Sequence, residues 1–253
     1  MGLEADIAQC VEWLRSARRV LCITGAGISA DSGLPTYRGI GGLYTDRHTE
    51  DEIPIEEALS AEMLSSNPEL TWKYLNQIAM ACKDAGYNPA HAAIKDLEDF
   101  CDVWILTQNI DGLHRSAGSQ NVIEIHGSLG KFHCMGCGYA PVVTVARKNE
   151  QLPCCERCTA VLRPDVVLFG EMLPVDAVER LHAELRRGFD VVMSIGTTSV
   201  FPYIAGPLVD ASKSGLPTIE INPAQTAVSG WVGLGIRQRA IKVLPEIIAG
   251  LRI

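Results

Sequence analysis

The sequence predicts an α/β fold with a parallel sheet, and two observations carry that prediction. Short and almost continuously apolar runs, among them Val20–Thr24 and Val191–Ile195, alternate along the chain with longer stretches of helical periodicity. Polar residues and glycines stand directly after several of these runs. Strands that are apolar at nearly every position are typical of a parallel sheet covered by helices on both faces, and such sheets bind ligands at the carboxyl ends of their strands.

The predicted elements follow from apolar spacing and from residues that favour helix starts. Ser60, Asn67 and Asn88 each stand where a polar side chain would cap the first turn of a helix. In chain order, the pattern predicts a helix over 4–17, a strand over 20–24, two or more helices over 55–83, a helix from 88 to about 99, strands over 103–107 and 122–125, a helix over about 176–187, a strand over 191–195, a helix near 204–214, a strand over 218–221, and a short strand followed by a helix over roughly 240–251.

The residues that follow the strands form five polar groups. Because parallel strands end at the same edge of a sheet, we expect these groups to meet there and to form a ligand site. They are Gly25–Ser29, Gln108–Asp111, His126-Gly127, Gly196–Ser199 and Asn222.

The first of these groups fits a dinucleotide-binding fingerprint. Gly25, Gly27 and Ala30 have the G-x-G-x-x-G/A spacing, in which small residues let backbone N–H groups approach a pyrophosphate. The motif alone is also compatible with a structural turn. Gly33 and Pro35 then break the helix that an ordinary dinucleotide-binding domain would continue, so we expect Ser32 through Gly39 to cover the ligand.

The composition bears on partners and compartment. The 253 residues carry 22 basic and 30 acidic side chains, a net charge of −8 that argues against direct nucleic-acid binding. No apolar stretch reaches the roughly 18–20 residues that cross a bilayer. Residues 1–6 lack the pattern of a signal peptide. We therefore expect a cytoplasmic protein without a membrane partner.

The nine cysteines indicate a metal site. Cys134 and Cys137 form one C-x-x-C pair, and Cys155 and Cys158 form a second after a gap of seventeen residues. This spacing is typical of a zinc ribbon, in which four thiolates complete a tetrahedral shell and leave no position for water. Cys154 is an alternative third ligand, and Cys155 is preferred because it gives the two-residue gap. The prediction is one structural Zn²⁺.

Taken together, the motifs resemble those of the sirtuins, which are NAD-dependent protein-lysine deacylases. The resemblance extends from the first strand to the last helix, and the motifs occur in the family's order. They are Gly25–Ser29, Ser32–Pro35, Arg38-Gly39, Thr107–Asp111, His126-Gly127, the two C-x-x-C pairs, Phe169–Glu171 and Gly196–Thr198.

The resemblance implies a fold of two domains. A Rossmann-like NAD-binding large domain would comprise residues 1–40, 86–130 and 165–253. A small domain would combine a helical module over 41–85 with a zinc-binding module over 131–164. An acyl-lysine peptide would lie in the cleft between them as an added strand. We expect a monomer.

The resemblance also implies the roles of individual residues. His126 would be the catalytic base, and Asn109 with Asp111 would orient the nicotinamide carboxamide. NAD contacts are implied for Gly25, Ala26, Gly27, Ser29, Thr36, Tyr37, Arg38, Gln108, Asn109, Ile110 and Asp111, and, around the adenosine, for Gly196, Thr197, Thr198, Ser199, Asn222, Pro223 and Ala240. Peptide contacts are implied for Val167, Leu168, Phe169, Gly170 and Glu171.

Three departures from the family pattern bear on substrate choice. Thr36-Tyr37 replaces a common Asp-Phe pair and keeps an aromatic ring. Leu75 and Ile78 stand where members specific for succinyl-lysine carry Tyr and Arg, so acetyl or longer uncharged acyl groups are predicted. Phe201-Pro202-Tyr203 differs from the usual Tyr-Pro order on the peptide side.

Other functions remain open on the sequence alone. The same pocket would serve mono-ADP-ribosyl transfer or removal of longer or acidic acyl groups. The zinc ribbon also occurs in nucleic-acid-binding modules, which the acidic balance disfavours, and a hydride-transferring dehydrogenase is a weaker alternative. A histidine such as His126 is often only structural, and Val167 and Phe169 are equally compatible with a place in the core.

Overall fold

A six-stranded parallel sheet forms the centre of the molecule, which confirms the predicted α/β class. The computed structural model describes residues 2–35, 49–141 and 152–253. The strands of the sheet are β1 (Arg19–Thr24), β2 (Asp102–Thr107), β3 (Asn121–Glu124), β6 (Val191–Ile195), β7 (Thr218–Ile221) and β8 (Leu234–Ile236), while β4 (Gly127–Cys134) and β5 (Leu162–Val166) pair antiparallel as a separate ribbon. The strand order in the sheet is β3-β2-β1-β6-β7-β8, and every neighbouring pair is parallel.

Helices cover both faces of the sheet because successive strand residues point to opposite sides. On β1, Val20 and Cys22 pack into the hydrophobic cluster on one face, and Leu21 and Ile23 pack into the cluster on the other. The helices are α1 (Leu3–Ser16), α2 (Ala26–Ser29), α3 (Ile55–Ala58), α4 (Ala61–Ser66), α5 (Pro68–Lys83), α6 (Pro89–Leu97), α7 (Leu113–Ser116), α8 (Val175–Arg187), α9 (Pro202–Lys213) and α10 (Ala240–Leu251).

The predicted helix starts are confirmed by their capping hydrogen bonds. The Ser60 side chain accepts from the Met63 N–H at 3.0 Å, and the Asn67 side chain accepts from the Leu70 N–H at 3.3 Å. Asn88 accepts from the Ala90 N–H at 2.9 Å. These side chains satisfy backbone donors that the first turn of a helix leaves free.

The prediction for residues 240–251 was wrong in one respect. No strand precedes the last helix within this range, because α10 begins at Ala240 itself and the short strand β8 lies earlier, at Leu234–Ile236. The apolar run at the start of the range fits a strand and a buried helix equally well. Packing of Val243, Ile247 and Leu251 against α1 and α6 selects the helix.

A third hydrophobic cluster joins α3–α5 to the β4-β5 ribbon. The Trp72 ring stacks on Phe132 with the ring centroids 6.2 Å apart, and its Nε1–H donates to the Leu162 carbonyl at 3.0 Å. Leu75 and Leu168 are buried in the same cluster. The helices over 55–83 and the cysteine-bearing ribbon therefore pack as one unit beside the sheet.

Candidate active site

The loops after β1 and β6 meet at the point where the strand order reverses. The Gly27 N–H donates to the Gly196 carbonyl at 2.8 Å, and Gly196 adopts a left-handed φ of 59°. A Cβ on Gly27 would lie 2.7 Å from that carbonyl oxygen, and one on Gly25 would lie 2.7 Å from the Thr197 Cβ. The two loops approach this closely only because these residues are glycines.

Polar side chains connect the first loop to the loop after β2. The Asn109 amide donates to the Gly25 carbonyl and to Ser29 Oγ, both at 3.1 Å. Ser29 Oγ in turn donates to Asp111 Oδ2 at 2.7 Å. Burial raises the pKa of Asp111, although the Leu113 N–H and the Ser29 hydroxyl oppose that shift. Both amide hydrogens of Asn109 are thus used, so Oδ1 is the atom it can offer to a ligand donor.

A second polar group connects the loops after β2, β6 and β7. The Gln108 amide donates to Thr197 Oγ1 at 2.7 Å, and the Asn222 amide donates to the Thr197 carbonyl at 3.0 Å. Ser199 is almost fully buried, has a left-handed φ of 52°, and donates its N–H to Thr197 Oγ1 at 3.1 Å. These bonds hold the strand ends together on the β7 side of the reversal.

His126 follows β3 and is held at both ring nitrogens. Its Nδ1 lies 3.1 Å from the Gln108 carbonyl oxygen, and its Nε2 lies 2.7 Å from the Tyr203 hydroxyl. Burial lowers the pKa of His126 and outweighs the Gln108 carbonyl, which raises it. The imidazole is therefore neutral at neutral pH, as a general base has to be.

One cavity of about 770 Å³ is lined both by predicted NAD-binding residues and by predicted peptide-binding residues. It joins the glycine loops to His126 and to the segment after β5. The predicted residues that line it are Gly25, Ala26, Gly27, Gln108, Asn109, Ile110, His126, Val167, Leu168, Phe169, Gly170, Glu171, Gly196, Thr197, Thr198, Asn222, Pro223 and Ala240.

A second cavity of about 300 Å³ lies between helix α5 and the polar cluster that Asn109 forms with Ser29 and Asp111. Ser29 and Asp111 line it together with Tyr74, Ile78 and Cys82. Of the remaining predicted NAD-binding residues, Ser199 lines neither cavity, but its N–H donates to Oγ1 of Thr197, which lines the larger one. Thr36, Tyr37 and Arg38 lie outside the residues that the structure describes.

The predicted peptide segment is tied to the site through its backbone. The Val167 N–H donates to the His126 carbonyl at 2.9 Å, and the Phe169 N–H donates to the Leu59 carbonyl at 2.9 Å. Glu171 Oε2 accepts from Arg163 at 2.9 Å and from the Leu168 N–H at 2.8 Å. Burial alone would raise the pKa of Glu171, but these partners hold it below its ordinary value. The Glu171 carboxylate thus holds the segment Val167–Glu171 in place through its hydrogen bonds with Arg163 and Leu168.

The four predicted metal ligands form a compact cluster. Among the described residues, the sulfur atoms of Cys134, Cys137, Cys155 and Cys158 all lie within 4.8 Å of one another. The N–H of Cys137 donates to the Cys134 Sγ at 3.4 Å, and with the Gly136 N–H it lowers the pKa of that thiol to about 6. Four thiolates at this spacing fit a structural Zn²⁺. The Cys154 side chain stays outside the cluster and faces the Leu152 carbonyl.

Comparison with known proteins identifies the family. A family model described as Sir2 family matches residues 25–202. The chain belongs to the Sir2 family. This confirms the resemblance to sirtuins that the ordered motifs indicated.

Individual Sir2 proteins match over nearly their whole length. NAD-dependent protein deacylase 2 of Pseudomonas aeruginosa is 47% identical over 253 residues, covering 98% of this chain and 98% of that protein. A solved complex of a Sir2 homologue with NAD has a TM-score of 0.86 at 35% identity, covering 97% of this chain and 93% of that one. A Sir2 structure with a p53 peptide and NAD⁺ has a TM-score of 0.82 at 26% identity, covering 96% of this chain and 97% of that one.

Sequence reasoning missed several contacts of this Sir2 site. Tyr203 was noted only as a departure from the family order, yet its hydroxyl lies against His126. The rings of His91 and His114 meet edge to face beneath Ser29 with centroids 4.9 Å apart. The partners of each pair lie on different elements, so no local spacing in the sequence indicated them.

Proposed function

We propose that this protein is an NAD-dependent protein-lysine deacylase that transfers the acyl group to ADP-ribose and releases nicotinamide. The observation that carries the proposal is a single cavity lined both by the glycine loops at the strand reversal and by neutral His126. The Sir2 family supports it, as does the name of the Pseudomonas aeruginosa relative at 47% identity.

The glycine loops and the polar clusters would bind NAD. When bound, NAD supplies a ribose carbon that the acyl-lysine carbonyl oxygen attacks, with nicotinamide as the leaving group. Gly25, Gly27 and Gly196 let the loops after β1 and β6 meet at the strand reversal, where the pyrophosphate would bind. Asn109 Oδ1 is positioned to accept from the carboxamide, because its amide hydrogens are held by Gly25 and Ser29.

His126 would act as the general base. A carbonyl oxygen can only accept a hydrogen bond, so the Gln108 carbonyl places the ring proton on Nδ1 and leaves the lone pair on Nε2. His126 lines the cavity, where Nε2 would take a proton from a ribose hydroxyl and so allow the hydroxyl oxygen to attack the acyl carbon. The lowered pKa keeps the base unprotonated at neutral pH.

The acyl group would be uncharged. Leu75 and Ile78 line the cavity at the positions where a succinyl-specific member has Tyr and Arg. Among the described residues that line this cavity, Arg239 is the one cation, and it pairs with Asp31. A buried acyl carboxylate would therefore lack a partner. In a mass-spectrometric competition, we expect acetyl-lysine peptide to react about tenfold or more faster than succinyl-lysine peptide. Faster succinyl turnover would contradict this substrate class.

One experiment tests the activity itself. Wild-type protein is incubated with NAD and an acetyl-lysine peptide, and mass spectrometry should detect nicotinamide, unmodified lysine and O-acetyl-ADP-ribose in equal amounts. His126→Ala should lower this rate about 10²- to 10⁴-fold because the base is lost. Calorimetric NAD affinity should change little. His182→Gln, on the exposed face of α8, is the matched control.

Two outcomes would overturn the proposal. Deacylation that does not require NAD would exclude this chemistry. ADP-ribose attached to protein, without any deacylated lysine, would replace it with the mono-ADP-ribosyl transfer that uses the same pocket.

Partners and location belong to the same proposal. An acyl-lysine peptide or protein is the proposed substrate, with no direct nucleic-acid or membrane partner, which the net charge of −8 supports. No described helix has the length and apolar character that crossing a membrane requires. We propose a cytoplasmic location, supported by the nine unpaired cysteines. A monomer is proposed as well.

The division into two domains also stays a proposal. The large domain over 1–40, 86–130 and 165–253 is supported by the two hydrophobic clusters on the faces of the sheet. The small domain over 41–85 and 131–164 is supported by the cluster that joins α5 to the β4-β5 ribbon.

A further inference from the structure

Tyr203 stands at a fixed position beside the catalytic base. It is the second residue of α9, directly after Pro202 at the start of the helix. Helical side chains lean toward the helix N-terminus, which directs the Tyr203 ring back toward the cavity. The ring stacks on Phe201 with centroids 5.4 Å apart and meets the His126 imidazole edge to face at 5.9 Å. The helix thus holds the backbone of Tyr203, while the ring is held by its contacts with Phe201 and His126.

The direction of the hydrogen bond between Tyr203 and His126 follows from the histidine tautomer. The Gln108 carbonyl fixes the proton on Nδ1, so Nε2 has only a lone pair and the Tyr203 hydroxyl must donate to it, at 2.7 Å. Both side chains line the large cavity. In the ligand-free protein, the one lone pair that the base has is therefore already occupied, inside the ligand cavity.

A base cannot accept a ribose proton through a lone pair that another hydroxyl holds. Tyr203 would have to either pass the proton on or leave. Passing it on would mean that the phenol gives its own proton to Nε2 while the phenol oxygen takes the ribose proton. Burial raises the pKa of Tyr203, which keeps the phenol protonated. Departure of the hydroxyl lets the ribose hydroxyl bond directly to Nε2, and the two routes differ in whether the Tyr203 hydroxyl is needed during the chemical step.

We propose that Tyr203 is a removable cap on the catalytic base: its hydroxyl holds His126 Nε2 in the ligand-free protein and is displaced by the bound ribose hydroxyl. This inference rests on the proposed function of His126. No proton is transferred in this exchange, because one O–H donor replaces another on the same nitrogen. Tyr203 is therefore a positioning residue that acts through His126. Binding of the substrates has to break the capping bond before the base is available.

Tyr203→Phe tests the cap, since it keeps the ring and its stacking on Phe201 but removes the hydroxyl. The first measurement uses ligand-free protein and diethyl pyrocarbonate, which acylates unprotonated imidazole nitrogen, with His126 followed by peptide mass spectrometry. We expect His126 to react about two- to tenfold faster in the variant, the size of one neutral hydrogen bond. Tyr87→Phe, at an exposed tyrosine, should leave that rate as in the wild type.

The second measurement is steady-state deacylation. Loss of the capping bond should lower KM for NAD, whose ribose hydroxyl displaces the cap, by about two- to tenfold and leave kcat within about twofold. If His126 reactivity and KM both match the wild type, Tyr203 does not cap the base. A kcat lowered tenfold or more at unchanged KM would show that the hydroxyl is needed during the chemical step, which also overturns the proposal.

The two measurements separate this inference from the proposed function. If wild-type protein shows no NAD-dependent deacylation, the proposed function fails. The reactivity of His126 in the ligand-free protein would still report whether Tyr203 covers Nε2.

Discussion

The glycine loops at the sheet edge and the four-cysteine ribbon hold their sites by different physical means. Behind the glycine loops, β1 lies between β2 and β6, and Val20 through Thr24 are completely buried. At the ribbon, the buried cluster consists of Cys134, Cys155 and Leu162, so two of its three members are proposed metal ligands. Burial and backbone contact shape the first region. The cysteine-bearing end of the ribbon has too little apolar core of its own to hold the four cysteines together without their metal.

The difference predicts how each region fails. The cofactor site depends on backbone atoms that touch, so adding a single methyl group damages it. The ribbon depends on thiolates converging on one ion, so removal of that ion or of one ligand damages it. Three perturbations, taken from the largest expected effect to the smallest, test this contrast.

Loss of zinc should have the largest effect, and the effect should be local. Structural zinc contributes about 10–16 kcal/mol in zinc-finger peptides at pH 7. Cys155→Ser should abolish the one zinc per chain measured by elemental analysis, and limited proteolysis should then cleave within 131–164 while the far-ultraviolet spectrum of the sheet and its helices persists. Cys154→Ser is the matched control and should keep its zinc, because its sulfur lies outside the cluster.

The opposite pattern would be equally informative. Zinc retained in Cys155→Ser and lost in Cys154→Ser would show that the third ligand is Cys154 and not Cys155. A chelated protein as resistant to protease as the untreated one would show that the ribbon holds its shape without a metal.

Gly27→Ala should have the next largest effect, at the sheet edge. The new Cβ would lie 2.7 Å from the Gly196 carbonyl oxygen and 2.8 Å from its Cα, which are backbone atoms that cannot rotate away. We expect a loss of about 3 kcal/mol in the free energy of unfolding by urea, the upper part of the usual range for overpacking. NAD affinity measured by calorimetry should fall about tenfold or more, because the two loops have to separate.

Gly206→Ala is the control for this substitution. Gly206 lies in α9, where an added Cβ meets nothing within 4 Å, so alanine should stabilise the helix by about 0.5–1 kcal/mol. Equal stabilities of the two variants would show that the Gly27 contact relaxes without cost.

The same contrast explains which features the sequence was able to predict. Strand Val191–Ile195 and the caps at Ser60 and Asn67 depend on neighbours in sequence, and all three are confirmed. The cysteine spacing identified a cluster because each C-x-x-C pair brings two ligands together locally. Contacts between distant elements were not predicted: Tyr203 lies 77 residues from His126, and Arg163 holds the Glu171 that was expected to bind peptide. Such pairings depend on how loops pack, which no local period encodes.

The pH dependence of stability should show the smallest effect of the three, and it tests the buried region at the sheet edge. Burial lowers the pKa of His114 to about 3, with a further contribution from His91, and lowers the pKa of His91 to about 4. The unfolded chain takes up these protons near pH 6.5, where the folded protein does not, so stability falls as the pH drops below about 6.5. Above that pH both rings are neutral in both states and contribute no pH dependence.

Between pH 7 and pH 5, each of these histidines should remove about 2 kcal/mol from the urea unfolding free energy. His114→Gln keeps a donor for Thr24 Oγ1, which lies 2.9 Å from His114 Nε2, but it removes one titrating ring. The variant should therefore lose about 2 kcal/mol less than the wild type over this interval. Protonation of the zinc ligands affects both proteins equally, so the difference between them reports the sheet edge alone. An identical loss in the two proteins would mean that His114 is not held neutral by its burial.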